Sequence, residues 1–279
     1  MTVHVLIPVF NRLELTKRVL KCLRAQVVDE PIRLIVIDDG SSDGTADFLE
    51  SEKDLTVLNG DGSLWWGGAI ELGLQLVLKE GGETDWVLMV NNDTWFAFDF
   101  VQNLLGAARL FAPVAVGSVI CDELSPERLL SIGGVIDTFR FRVKDLLDNQ
   151  RKRDPNGRPH SVDVLSGRGT LYPVSAIRKA GSMIPCLVPH YLADYEFSIR
   201  VRRAGYQLLV SEQAVTISAD EYGNSYVPSR FFERYFSIRS ASYLPAVLVF
   251  WWRASSLVER CTLLPRFVFM GVKRGLFSQ

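Results

Sequence analysis

Short apolar runs that stop abruptly in polar or acidic residues alternate along this chain with stretches whose apolar side chains recur every three or four positions. Val3 to Pro8 is the first run, and Leu15, Val19, Leu20 and Leu23 follow at helical spacing, with Asn11 placed to cap that helix. Ile32 to Ile37 repeats the strand signal and ends in Asp38, Asp39 and Gly40, before a helix to about Glu52. Leu55 to Asn59 reads as a third strand, and Ile70, Leu74 and Val77 mark a helix over Ala69 to Leu78. Trp86 to Val90 alternates too little for a surface strand and is too short for an ordinary helix. It reads as a buried parallel strand whose carboxyl end carries Asn91, Asn92 and Asp93. A helix from about Phe98 to Leu110 and a strand from Val114 to Val119 complete the series. Five strands separated by helices predict an α/β fold, a doubly wound and mostly parallel central sheet flanked by helices with right-handed crossovers.

After Val119 the alternation weakens. Ile120 to Phe141 is mixed, with a turn at Gly133 and Gly134, and Asp148 to His160 is polar with nothing to bury, so it reads as a mobile loop. Val162 to Leu165 resumes a strand, Ser166 to Thr170 is a glycine-punctuated turn, and Val174 to Ala180 is a short helix closed by Gly181. Tyr195 to Ala204 is a helix with Asp194 at its start and Gly205 past its end, followed by strands near Gln207 to Val210 and Ala214 to Ile217. From Arg230 the character changes. Arg230, Arg234, Arg239, Arg253, Arg260, Arg266, Lys273 and Arg274 face only Glu233 and Glu259, and Tyr235, Phe236, Tyr243, Phe250, Trp251, Trp252, Phe267 and Phe269 lie between them. Such a helical tail suits either a membrane interface, with rings at headgroup level and guanidinium groups on phosphates, or an appendage packed on the main domain. Its longest apolar run, Leu244 to Trp252, is too short to cross a bilayer and carries Pro245.

Composition narrows the class. A chain of 279 residues with 48% hydrophobic residues can bury a large core, as one domain or a domain with an appendage. A formal net charge of −1 supplies no field to hold nucleic acid. Cys22, Cys121, Cys186 and Cys261 form no CxxC pair, which argues against a zinc site or a disulfide framework and suits a reducing compartment. The first strand begins within three residues with no leader pattern ahead of it, so a cytoplasmic location is expected.

The candidate chemistry sits at the strand ends. In an open α/β sheet ligands bind outside the carboxyl ends of the strands, and here acids end strands two and four beside the glycine-rich loop Gly60 to Gly68. That is a setting for a base, a ribose and phosphates. Asp38 and Asp39 can accept hydrogen bonds from such a ligand or can be turn residues before Gly40, and Asp93 can ligate a divalent ion or close an Asx turn. Trp65 and Trp66 are either core aromatics or the wall of a sugar pocket, and Asp194 is either a reactive carboxylate or a helix cap. His4 lies in a strand and His160 in a polar loop, which leaves His190 as the histidine with functional interest. The first strand turns through Pro8, Val9, Phe10, Asn11 and Arg12 without a glycine, which excludes a GxGxxG dinucleotide site, and no GxxxxGK[ST] loop occurs.

Four segments in order, VHVLIPVFNR, VIDDGSSDGT, VNNDTW and ADYEFSIRVRRAGY, resemble the family 2 glycosyltransferases of the GT-A fold over about residues 3 to 217. The loop GDGSLWWGG is similar to that of members that build bacterial surface polysaccharides, including rhamnosyltransferase-like ones. The resemblance implies a Rossmann-like GT-A domain over 1–229, with a nucleotide-binding half at 1–119 and an acceptor and catalytic half at 120–229, followed by the tail at 230–279. It implies Pro8, Phe10 and Asn11 around the nucleotide, Asp39 at the base edge with Asp38 beside it, and Trp66 and Gly67 with the donor. Asn91, Asn92 and Asp93 occupy the position of the DxD motif, with only its last acid kept, so that Mg²⁺ or Mn²⁺ would rest chiefly on Asp93. Asp194 matches the general base of inverting members and Glu196 the second acid of that segment. Glu196, His190 and Trp65 are candidates for acceptor binding or support. Relatives often carry a histidine after the last strand, and Ser218, Ala219, Asp220, Glu221 and Tyr222 supply none. The expected activity is an inverting, metal-dependent transfer from a UDP- or dTDP-linked sugar to a glycan or lipid-linked acceptor, peripheral at the inner face of the cytoplasmic membrane. The alternatives are a sugar-phosphate nucleotidyltransferase and a catalytically silent nucleotide-sugar-binding scaffold.

Overall fold

The computed structural model describes residues 1–147, 153–154, 156–218 and 230–273, with side chains described as far as residue 270. Its first half follows the apolar pattern closely. β1 (Val3–Val9), α1 (Leu13–Arg24), β2 (Ile32–Asp38), α2 (Thr45–Ser51), β3 (Leu55–Asn59), α3 (Trp65–Glu80) and β4 (Trp86–Met89) alternate strand and helix. β1 lies between β2 and β4, parallel to both, with Val3 opposite Ile32 on one side and Trp86 on the other. Strand alternation sorts the side chains into two layers. Leu6, Ile35 and Ile37 pack with Ile70, Leu74 and Val77 of α3, while Val5, Ile7 and Val36 pack on the opposite face with Val19, Leu20 and Leu23 of α1.

The second half adds β5 (Thr94–Trp95), α4 (Phe100–Phe111), β6 (Val114–Asp122), β7 (Leu129–Ser131), β8 (Gly134–Asp137), β9 (Arg142–Asp145), β10 (His160–Ser161), β11 (Thr170–Pro173), α5 (Val174–Ala180), α6 (Ala193–Arg203) and β12 (Gln207–Ser218). The main sheet runs β10-β12-β6-β11-β4-β1-β2-β3, and β8 with β9 forms a separate ribbon. Here several expectations are corrected. β11, which the sequence pattern did not mark as a strand, lies antiparallel between β4 and β6 in a sheet that is mostly parallel as expected. Val162 to Leu165 is apolar because Val162 and Leu165 fill one core cluster and Val164 another, with a single bridge from Val164 to Gly134 in place of a strand. The two strands expected near the end are one, β12, with an irregularity between Ser211 and Val215 that leaves it parallel to β6 throughout. Asn11 does not cap α1. Its Oδ1 accepts from Ser42 N–H, and Asp43 Oδ2 accepts the Leu13 N–H at the helix start instead. Much of the expected mobile loop, 148–152 and 155, lies outside the described residues.

The tail comprises α7 (Phe231–Phe236), α8 (Leu244–Ala254), α9 (Leu257–Cys261) and α10 (Leu263–Lys273). Pro245 sits in the first turn of α8, where its missing N–H costs nothing, and Ser256 with Glu259 closes a capping box on α9. Phe250, Trp251 and Leu263 enter a core cluster with Phe141, Val164 and Ile199, so the tail is packed on the main domain. Four of its arginines are used within the chain. Arg253 reaches Glu196, Arg260 donates to the Trp252 carbonyl, Arg266 to the Thr138 carbonyl, and Arg234 lies over the Tyr235 ring. Among the described residues no helix is long and apolar enough to cross a membrane.

Candidate active site

The loops at the carboxyl ends of β1, β2 and β4 open onto a cavity of about 740 Å³, which also receives the start of α6, the 166–168 turn and Arg239 and Ala241 of the tail. Its walls include Pro8, Phe10, Asp39, Trp65, Trp66, Asn91, Asn92, Asp93, His190 and Asp194. Ten of the residues singled out from the sequence, 186 positions apart at the widest between Pro8 and Asp194, therefore converge on one space. Asn11, Asp38, Gly67 and Glu196 do not line it.

Each absentee has a physical reason. Asp38 turns back on Ser41, accepting from both its N–H and its hydroxyl. Asn11 holds Ser42 as above, and its own N–H donates to the Ser41 hydroxyl at 2.7 Å, so it ties two strand-end loops together. Gly67 N–H donates to the Pro189 carbonyl at 2.8 Å, and a Cβ there would stand 2.8 Å from the carbonyl oxygens of Val188 and Pro189. It is a glycine because α3 meets the 188–190 segment backbone to backbone. Glu196 is buried in an ion pair with Arg200, at 2.9 Å, and with Arg253 at 3.4 Å, which makes it a support of α6 and the tail.

The groups that do line the cavity are held firmly. Asp39 accepts three backbone N–H bonds, from Gly62 and Leu64 on Oδ1 and from Trp65 on Oδ2. Asn91 Oδ1 accepts the Trp66 indole N–H at 2.9 Å. The same indole lies where a side chain on Gly167 would be, 2.2 Å from the position of a Cβ. Asn92 donates to the Thr16 hydroxyl. Asp93 Oδ2 pairs with the Arg12 guanidinium at 3.1 Å, while Oδ1 is buried with no partner.

Asp194 is not the cap of its helix. α6 starts from Leu192, which is in the left-handed region at φ 69° and makes no side-chain cap bond. From the first turn the Asp194 carboxylate takes the Gly167 N–H on Oδ2 and its neighbour Tyr195 N–H on Oδ1, both at 2.8 Å. Burial pushes its pKa up, against the opposing pull of those two N–H groups and of Arg168. His190 has its pKa lowered by burial, which favours the neutral ring.

A divalent ion is tested by the donor set. Among the described residues no group of three or more His, Cys, Asp and Glu could hold one alone. The buried, unpartnered Oδ1 of Asp93 does fit an ion that takes its other ligands from a diphosphate and water, the usual pattern for Mg²⁺. Sequence reading missed the cations of the cavity, Arg12, Arg168 and Arg239. Arg12 stood inside a quoted motif without a role. Arg239 belongs to a basic tail whose spacing says nothing of which member turns inward. Of the stretch at the end of the last strand that carries no histidine, Ser218 is described and its hydroxyl accepts from Arg168 at 3.2 Å, while Ala219, Asp220, Glu221 and Tyr222 lie outside the described residues.

None of the curated proteins matches the sequence. S. aureus TarS 1–349 in complex with UDP-GlcNAc is similar with a TM-score of 0.62 at 15% identity, covering 98% of this chain and 73% of that one. GalNAc-T7 with UDP, GalNAc and Mn²⁺ is similar with a TM-score of 0.65 at 14% identity over 82% of this chain and 45% of that one. The mannosyltransferase PcManGT from Pyrobaculum calidifontis with GDP-Man and Mn²⁺ gives 0.53 at 16% identity, covering 99% of this chain and 75% of that one. The chain spans only 37% of the longer TarS structure. At such identities the likeness is one of fold, the GT-A fold of glycosyltransferases. The sequence also matches glycosyl transferase family 2 directly over residues 4–179, more than half of its length, and the chain belongs to that family.

Proposed function

We propose that this protein transfers a glycosyl group, with inversion, from a UDP- or dTDP-linked sugar to an acceptor hydroxyl. The observation that carries the reading is that Asp93 and Asp194, from a strand end and a helix start 101 positions apart, line one cavity together with three arginines. In this reading the acceptor O–H donates to Asp194, whose carboxylate keeps free lone pairs beside its two backbone N–H bonds. The proton passes to Asp194 as the oxygen bonds to the anomeric carbon, and the bond from that carbon to the phosphate oxygen breaks with its electron pair staying on the diphosphate. A raised pKa brings the carboxylate nearer to the strength a general base needs at neutral pH. Arg12, Arg168 and Arg239 face the charge of the leaving group, Phe10, which is 55% exposed, offers a surface for the base, and Asp39 has one acceptor site left for a base N–H. Pro8, Asn91, Asn92 and Trp66 complete the donor wall, with Asn11, Asp38 and Gly67 acting through the loops they hold. Asp93 Oδ1 would hold Mg²⁺ or Mn²⁺, which when bound supplies Lewis-acid stabilisation of the diphosphate.

The domain division at 229 and the donor and acceptor halves follow from the same reading. So does a role in bacterial surface polysaccharide assembly on the inner face of the cytoplasmic membrane, with a glycan or lipid-linked acceptor. What supports the membrane part is the outer surface of the tail. Leu263, Phe267 and Met270 of α10 turn into the core, yet Leu264, Val268 and Phe269 on its outer side are apolar too, as are exposed Phe232 and Phe236 of α7 and Leu257 and Val258 of α9. A helix apolar on both sides needs cover. Incubation with UDP-, dTDP- and GDP-sugars and simple glycoside acceptors, with and without Mg²⁺ or Mn²⁺, should release nucleoside diphosphate. Pyrophosphate release from a nucleoside triphosphate and a sugar phosphate would instead assign a nucleotidyltransferase, and binding without turnover a scaffold. Anionic liposomes should sediment the protein, and Leu264→Glu with Phe269→Glu should abolish this.

A further inference from the structure

We propose that Trp65, His190 and Tyr191 form a pyranose subsite, in which the apolar face of a sugar ring lies on the aromatic surfaces and a hydroxyl hydrogen-bonds Nδ1 of His190. Asp39 is the positioning residue that holds Trp65 there. The inference rests on the glycosyl-transfer reading and adds to it the residues that recognise the sugar.

Strain marks this wall. Trp65 sits at φ 56° and Leu192 at φ 69°, a left-handed conformation that bulky side chains avoid, and both line the cavity. Such outliers persist only where surrounding contacts over-determine them. For Trp65 the contact is Asp39 Oδ2, which accepts its N–H at 3.1 Å, while Oδ1 fixes Gly62 and Leu64 on the same loop. Gly60 leaves room for that carboxylate, since a Cβ there would lie 2.5 Å from Oδ1. Thus fixed, the indole lies 5.5 Å from the His190 ring, which in turn lies 4.5 Å from Tyr191. His190 is itself tied to α3 through the adjoining Pro189 carbonyl and Gly67 N–H. Its Nδ1 is buried and has no partner. Buried polar atoms in native proteins are paired with few exceptions, so an unpaired ring nitrogen on a cavity wall points to a ligand group. A hydroxyl serves in either tautomer because it both donates and accepts. An aromatic surface with one polar atom at its centre complements a pyranose, which carries an apolar C–H face edged with hydroxyls.

The pyranose can come from the donor or from the acceptor, and binding separates the two. The Kd of UDP is measured against UDP-glucose and UDP-GlcNAc, of dTDP against dTDP-glucose, and of GDP against GDP-mannose. The variants are His190→Phe, which keeps the ring stack, and Trp65→Gly, which removes the indole where glycine is unstrained. For a donor pyranose the advantage of the sugar nucleotide over its bare diphosphate should fall about fivefold in His190→Phe and about tenfold in Trp65→Gly. Asp39→Asn should lower the same ratio, with no further loss when combined with Trp65→Gly. For an acceptor pyranose the ratio stays constant, and saturation-transfer signals of methyl glycosides bound beside the diphosphate disappear in both variants. If neither changes in folded variants, the aromatic group only packs and the inference is overturned. If the unaltered protein binds no nucleoside diphosphate, the glycosyl-transfer reading itself has failed.

Discussion

The two walls of the cavity are built differently. Pro8, Asp39 and Asn91 to Asp93 stand at the ends of strands whose register is set on both sides of β1, so their backbone positions follow from the sheet. The opposite wall, Ser166 to Arg168, His190 to Tyr195 and Arg239, hangs on connections. It is held by the Gly67 to Pro189 bond, by the carboxylate of Asp194 on Gly167, and by Glu196 between Arg200 and Arg253. Ala246 of the tail packs beneath it with Val188 and Ala193. A wall fixed by main-chain pairing suits the part of a ligand that every donor shares, and a wall fixed by side chains is free to vary with the sugar and the acceptor.

That contrast is most exposed at Asp194. Asp194→Asn should lower turnover by about 100-fold or more while nucleoside diphosphate affinity stays nearly constant, because in this reading Asp194 meets the acceptor hydroxyl and not the diphosphate. Steady-state product release and calorimetry check this, and a collapse of diphosphate affinity would mean that the walls are not separable. Glu196→Ala tests the same wall through stability. It leaves the Arg200 guanidinium buried without its carboxylate, a loss of about 3 kcal/mol in urea unfolding. Molecules that remain folded should still bind the diphosphate.

How much was legible follows the same line. The strand-end wall was readable because apolar runs that stop in acids announce both the strand and the end at which it binds. β1, β2, β3 and β4 and their acids fall where the pattern placed them. Even there, side-chain function was less visible than position. Asp38 and Asp39 are neighbours, yet one turns back on Ser41 and the other organises the 62–65 loop, a division set by which face each meets. α3 begins at Trp65 rather than Ala69 because Asp39 orders its first residues, a contact made across 26 positions. In the other wall β11 went unmarked, because Thr170 to Pro173 is only four residues long and ends in proline, too short a run between the 166–170 turn and the next helix to show a strand's period. The inward turn of Arg239 and the pairing of Glu196 with Arg253 depend on tertiary contacts that no local periodicity encodes, whereas the i,i+4 pair of Glu196 with Arg200 follows from helical spacing.

A smaller effect belongs to the strand-end wall. Asp93→Ala removes the orphaned Oδ1 and also frees Arg12 to meet a diphosphate directly. The gain in diphosphate affinity on adding Mg²⁺ should shrink about tenfold, the scale of one charge-assisted contact, while affinity without metal holds or rises. An unchanged response to Mg²⁺, measured by calorimetry in metal and in chelator, would move any ion to other ligands.

The finest test compares the walls by pH. Burial raises the pKa of Asp194 above its ordinary value of 3.8, so the folded protein binds a proton there under conditions in which the unfolded chain has released it. Stability falls with pH wherever the folded state holds more protons. Relative to Asp194→Asn, which cannot titrate, the unaltered protein should therefore lose stability as pH rises from about 4 through the folded pKa, and the difference should then level off. Each tenfold preference of the folded state for the protonated form is worth about 1.4 kcal/mol. Over the same interval turnover should rise, since only the ionised carboxylate takes the acceptor proton. Urea midpoints of both proteins across this range, set beside the pH profile of kcat, decide the matter. A stability difference that is flat with pH would show that Gly167 and Tyr195 hold the carboxylate ionised as fully as water does, leaving the connection-built wall no better suited to proton transfer than an exposed acid.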